Sequence, residues 1–260
     1  MAFVWQERAH DNHDIEAFAD AGCRNALRGC GLLKFFLTPH LRAQPDLLEF
    51  LIRAWNPEDE KFIIRGHDIE FDPQDIYFLT GLSCWGERPI MEGQRPGGET
   101  LEMLMAQVCP QAHRLHSGKV SIPTMPDLIL RAVLFMITWV AGSQAQHEAS
   151  KNHLRLALDC LNPTIFNWAK AVTVSMKMQL TNCRQGRTKQ FGYGSILLLL
   201  MFEQVPILQK QDMALDPPVP CQTRDTRWAH VMPRGGGGWP VSWGIYFREW
   251  LERQTVFMED

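Results

Sequence analysis

The segment Gly194 to Val205, GSILLLLMFEQV, is apolar nearly all round. A helix with no polar face is stable only when other elements enclose it, so this segment predicts the central helix of a packed core. Pro206 ends it. The chain must therefore supply several amphipathic helices to surround it. With 260 residues, 45% of them hydrophobic, it has the material for a sizeable core.

Those helices are readable in order. Asp14 to Leu37 carries apolar residues at helical spacing, and Gly22, Gly29 and Gly31 divide it into short helices with a break. Pro45 to Trp55 is a second helix with Leu47, Leu48, Leu51, Ile52 and Trp55 on its inner stripe, stopped by Asn56-Pro57. Thr100 to Val108 predicts a short helix, Gln111 to Thr124 an irregular polar stretch, and Thr124 to Ala141 a strongly apolar helix closed by Gly142. Further helices are expected over Ser143 to Cys160 and, starting at Asn162-Pro163, to Cys183. Asp212 to Thr226 is a proline-bearing connector (212–226), Gly235 to Gly238 a flexible run, and Val241 to Phe257 a last amphipathic helix (241–257).

Lys61 to Pro89 departs from this pattern. Phe62-Ile63-Ile64 and Ile69-Glu70-Phe71 flank the turn-rich Arg65-Gly66-His67-Asp68 and predict a small hairpin. Asp72-Pro73-Gln74-Asp75 is a helix-start signature, with Asp72 at the N-cap. Ile76, Phe78, Leu79 and Leu82 form the apolar face, and Gly81 takes the left-handed C-terminal position. The expected architecture is mainly α, a single globular helical domain over 1–260 with one small β-hairpin.

No segment carries a catalytic signature. Cys109, His113 and His116 have metal-ligand chemistry, but structural zinc sites pair short spacings with a fourth ligand, which here would come from His147 or His153. Arg234 and the glycines after it lack the Lys-Ser or Lys-Thr of a phosphate-binding loop. Cys84 with His67 would make a thiol nucleophile, although a small buried residue is the commoner fate of such a cysteine. Asp72 and Asp75 have the spacing of paired acid–base carboxylates, and a capping motif explains the same spacing. The expectation is a protein with no catalytic, cofactor-binding or metal-binding residues.

Contact surfaces are the better candidates. Trp85 in the Gly- and Pro-rich loop Ser83 to Gly98, with Arg88 beside it and Trp239 near the glycine run, is a candidate partner contact, because tryptophan is enriched at interaction hot spots. Arg184, Arg187 and Lys189 are candidate nucleic-acid contacts, with Phe191, Tyr193, Trp228 and Trp239 nearby in sequence as stacking partners. A formal net charge of −3 argues against a strongly basic nucleic-acid binder. Seven unpaired-looking cysteines without a CxxC motif point to a reducing compartment, cytosol or nucleus. The residues Met1 to Asp20 read as no secretory leader, and the apolar runs fall short of the roughly 20 residues of a membrane span.

Three segments together resemble the plant mobile domain family, the transposon-associated domain also labelled "aminotransferase-like". They are Phe62 to Gly86 with DIYFLTGL, Asn162 to Pro206 with NPTIFNWAK and LTNCRQGRTKQFGYGS, and Arg227 to Gly238, RWAHVMPRGGGG. Residues 1–46 match less clearly. The resemblance implies a nuclear protein of retroelement or transposon origin, related to the maintenance-of-meristems proteins. Its implied roles are transposon and gene silencing and meristem maintenance, through protein partners that include a PP7-type serine/threonine phosphatase. It implies no catalytic residue. The Schiff-base lysine, acidic partner and phosphate cup of a pyridoxal-phosphate enzyme have no counterpart combination here.

Overall fold

Trp55, Phe62 and Phe71 meet in one aromatic cluster, with ring centroids 4.8 Å apart for Trp55 and Phe62 and 6.2 Å for Phe62 and Phe71. The period-2 pleat causes this: Phe62 and Ile64 turn inward while Ile63 between them faces solvent. The computed structural model describes residues 4–5, 20–36, 45–64, 66–91, 100–108, 118–142, 148–162 and 165–204. The protein is mainly helical, as its periodicity predicts. Backbone proximity divides it into two compact units, neither contiguous in sequence.

The first unit draws its described residues from within Met1–Glu7, Thr38–Thr80 and Met176–Asp260. Its strands β2 (Trp55–Asn56), β3 (Lys61–Ile64) and β4 (His67–Ile69) form an antiparallel sheet in the order β2-β3-β4. The expected hairpin is present but tighter, since Ile64 pairs with His67 directly across residues 65–66. Trp55, expected on the helix Pro45–Ala54, instead begins β2 and pairs with Phe62. Its indole Nε1 donates to Thr181 Oγ1 at 3.0 Å. A short parallel pair, β1 (Val4–Trp5) with β7 (Gln190–Phe191), completes the strands of this unit among the described residues.

The helix Gly194–Gln204 is central to this unit. Ile196 to Met201 are all buried, and it packs on the helices Pro73–Thr80 and Pro45–Ala54. Each fully buried leucine on it contributes about 1.5–3 kcal/mol of apolar stabilisation. The helix Pro73–Thr80 is capped as its sequence predicts. Asp72 Oδ1 accepts from the amides of Gln74 and Asp75, and Asp75 Oδ2 accepts from Asp72 N. Gly81, just beyond it, has φ +71°.

The second unit draws its described residues from within Arg8–Leu37 and Gly81–Ser175. The helix Leu128–Val140 is its core, buried at Leu130, at every position from Ala132 to Thr138 and at Val140. It packs against Ala21–Gly29 and Lys151–Cys160. Asp127 starts it by accepting from Leu130 N at 2.9 Å. Ala21–Gly29 ends in a Schellman motif, in which Leu32 N donates to Leu27 O and Gly31 N to Arg28 O. That closure is the predicted break before the short helix Leu33–Phe36.

Several details differ from expectation, among them the start of the apolar helix, which is Leu128 rather than Thr124. The predicted Ser143 start gives way to a two-residue strand, β6 (Glu148–Ala149), antiparallel to β5 (Val120–Ser121), and the helix begins at Lys151. β5 and the 3-10 turn Ile122–Thr124 also lie in a stretch expected to be irregular. The long helix is Trp168–Arg184 rather than starting at Asn162, because Asn167 caps it. Residues 212–226 and 241–257 lie outside the described residues.

Candidate functional site

The loop Ser83 to Arg88, in the second unit, is held by the start of the Trp168–Arg184 helix. Asn167 does most of this. Its Oδ1 accepts from Lys170 N at 2.9 Å as a helix cap, while its Nδ2 donates to Cys84 O at 2.8 Å and its backbone N to Glu87 O at 2.7 Å. Ala169 N donates to Ser83 O at 2.9 Å, which uses one of the amides a helix N-terminus leaves unpaired. Glu87 and Phe166 form a parallel bridge.

Gly86 makes this closeness possible. Its φ is +96°, and a Cβ built there would lie 2.3 Å from the Ile165 carbonyl oxygen, so only glycine fits. Ser83 Oγ donates to Trp85 O at 3.0 Å, and the backbone of the loop is thus fixed from inside as well. On this fixed backbone the side chain of Trp85 is 55% exposed, and Ile165, on the segment that Gly86 packs against, is 58% exposed. Arg88 is exposed beside them, while Trp239 lies outside the described residues.

The basic cluster belongs to the first unit. Arg184 ends the long helix, and Arg187 and Lys189 follow in the turn to β7; all three are exposed. Of the aromatics expected to stack beside them, the two among the described residues do not. Phe191 and Tyr193 are 1% and 2% exposed and pack edge to face in the core, and Trp228 lies outside the described residues. No base-stacking platform accompanies this turn among the described residues.

The residues weighed for catalysis or metal binding lie in several places. Asp72 and Asp75 are engaged as a helix cap. His67 is an exposed residue of β4 in the first unit, and Cys84 is half-buried in the Trp85 loop of the second. His153 is buried and serves a capping box: its Nδ1 accepts from Ser150 N while Ser150 Oγ accepts from His153 N. Burial and the Lys119 cation push its pKa down to about 4. Cys109, His113, His116 and His147 lie outside the described residues, among which no three His, Cys, Asp or Glu side chains group as a metal site would need.

The Trp85 loop, its Asn167 clamp and the basic turn all fall within residues 18–200, and that span matches the model of a family described as a domain of unknown function, DUF8566. The chain belongs to the DUF8566 family. No curated protein and no solved structure matches it. The DUF8566 match covers residues of both units and excludes Trp239. Among the described residues, no helix is long and apolar enough to cross a membrane.

The clamp itself is not legible in the sequence. Asn167 and Cys84 are 83 positions apart, and neither carries a motif that announces the other.

Proposed function

We propose that the chain is a non-catalytic protein-interaction domain whose contact face is centred on Trp85. The observation that carries this reading is a largely exposed indole on a loop pinned by three hydrogen bonds to residues 167–169. An exposed aromatic on a fixed backbone binds with little ordering cost, because the loop entropy is already lost on folding. Ile165 adds apolar surface on the adjoining segment, and Arg88 a charge at the rim.

The biological setting of this reading comes from the sequence resemblance to the plant mobile domain family. It is a nuclear role in transposon silencing or meristem maintenance, in a domain of transposon origin, with a PP7-type phosphatase as the first partner to test. The test compares wild type with Trp85→Ala in affinity purification from plant nuclei, followed by calorimetric titration of the recovered partner. The expected loss is roughly thirtyfold in affinity, the ~2 kcal/mol of a hot-spot residue, with thermal unfolding unchanged. Unchanged affinity would overturn the proposal, and so would loss of the folded state in the variant.

A further inference from the structure

Ion pairing in the first unit is uneven. Arg53 pairs with Glu49, Lys61 with Asp59 and Asp68, and Lys177 with Glu60, while the Lys177 ammonium also lies 5.4 Å from the centre of the Phe71 ring. Arg184, Arg187 and Lys189 have no carboxylate partner among the described residues. The sequence around them explains why. From Cys160 to Phe202 the chain contains no Asp or Glu at all, yet it carries Lys170, Lys177 and these three cations.

The turn that presents them is well built. Gly186, at φ +73°, closes the helix in a Schellman motif, with Arg187 N donating to Asn182 O at 2.9 Å and Gly186 N to Cys183 O at 3.1 Å. Thr188 Oγ1 accepts from Gln190 N at 3.0 Å. A cation in the last helical turn also offsets the partial negative charge there, which accounts for Arg184 without a ligand. It does not account for Arg187 and Lys189, which lie beyond the helix.

We propose that this turn binds the phosphate backbone of duplex DNA, independently of base sequence. An acidic protein partner would need an apolar anchor beside the charges, and the two aromatics that follow the turn, Phe191 and Tyr193, are buried. The same burial leaves no base-stacking platform of the kind single strands use beside the turn among the described residues, and phosphates are the ligand that its cations match. The exposed amides of Gln185 and Gln190 are added hydrogen-bond donors to phosphate oxygens. This surface lies in a different unit from the Trp85 loop and does not depend on that reading.

The test is fluorescence anisotropy of the full chain with a labelled duplex of about 20 base pairs, titrated between about 50 and 200 mM salt. Three phosphate contacts give an expected slope of about −2.7 for log K against log [salt]. Arg187→Gln is expected to reduce its magnitude by about 0.9, and Arg184→Gln, Arg187→Gln and Lys189→Gln combined to abolish it. Arg28→Gln, the same charge change at an exposed site in the other unit, leaves it unchanged. Circular dichroism checks the folding of each variant, and the single variants carry the test if the triple variant unfolds. No binding at low salt overturns the proposal, as does an unchanged slope in the folded variants. Displacement by polyglutamate as effective as by unlabelled duplex would reassign the turn to acidic proteins and equally overturn it.

Discussion

The indole Nε1 of Trp168 donates to the carbonyl oxygen of Cys30 at 2.6 Å, with both residues buried. It joins the start of the long helix to the Schellman turn that ends Ala21–Gly29, supplying a partner to a carbonyl that water cannot reach. Trp168→Phe removes the donor and keeps an aromatic body. It is expected to cost about 1–3 kcal/mol in urea unfolding, against about 3–5 kcal/mol for Trp168→Ala. A Phe variant as stable as wild type would show that the bond contributes nothing.

Two glycines with positive φ separate strain from collision. Gly31, at φ +79°, has its nearest neighbour, Trp168 Cδ1, 3.6 Å from an added Cβ, so Gly31→Ala pays only the left-handed backbone cost of about 1–2 kcal/mol. Gly86→Ala adds a collision with the Ile165 backbone and is expected to cost more and to detach the loop. Thermal melts rank the two, and hydrogen exchange at Asn167 N reports the detachment. Equal costs would mean that the loop relaxes freely.

His153 makes stability depend on pH in a defined window. Its folded pKa of about 4 lies below the ordinary 6.5, so the unfolded chain takes up the proton first as pH falls. Stability is therefore full above about pH 6.5, declines towards pH 4 and levels off below it, a loss on the order of 3 kcal/mol. Urea midpoints across that range measure it. His153→Gln, which keeps an acceptor for Ser150 N, is expected to flatten the decline, and an unchanged pH profile would count against His153 as its source.

Thiol reactivity tests burial independently. Burial pushes Cys23 and Cys183 up to about 11, with the Asp20 carboxylate adding to the effect at Cys23. Their thiolate fractions at neutral pH are about a hundredfold below that of an ordinary thiol. Iodoacetamide is expected to label half-buried Cys84 before either, as followed by mass spectrometry of the native protein. Labelling of Cys23 as fast as Cys84 would contradict the packing of Ala21–Gly29.

What the sequence revealed was local. Asp72, Asp75 and Gly81 act within one helix, so their roles are legible from spacing alone. The start of the long helix is not legible in the same way, because Asn162-Pro163 has the right composition, whereas Asn167 is fixed as cap by partners at Cys84 and Glu87. β5 and β6 are two residues each and exist through pairing across the chain, which no periodicity signals. In the site, the exposure of Trp85 fits its Gly- and Pro-rich context. The contrast between Lys177, paired with Glu60, and Arg187, with no carboxylate partner among the described residues, is invisible until Glu60 is seen beside the former.

The division into two units sets an order of completion during synthesis. Every segment of the second unit has been made once Ser175 is added, whereas the first still lacks the helix Gly194–Gln204 on which its core depends. Chains emerge from the ribosome N-terminus first and fold as they come. The second unit is therefore expected to close around Leu128–Val140 while the sheet of the first still waits for its central helix. Stalled nascent chains ending shortly after Ser175, allowing for the ribosome tunnel, should protect Leu128–Val140 from protease and leave Lys61–Ile64 open to it; the reverse pattern would refute that order.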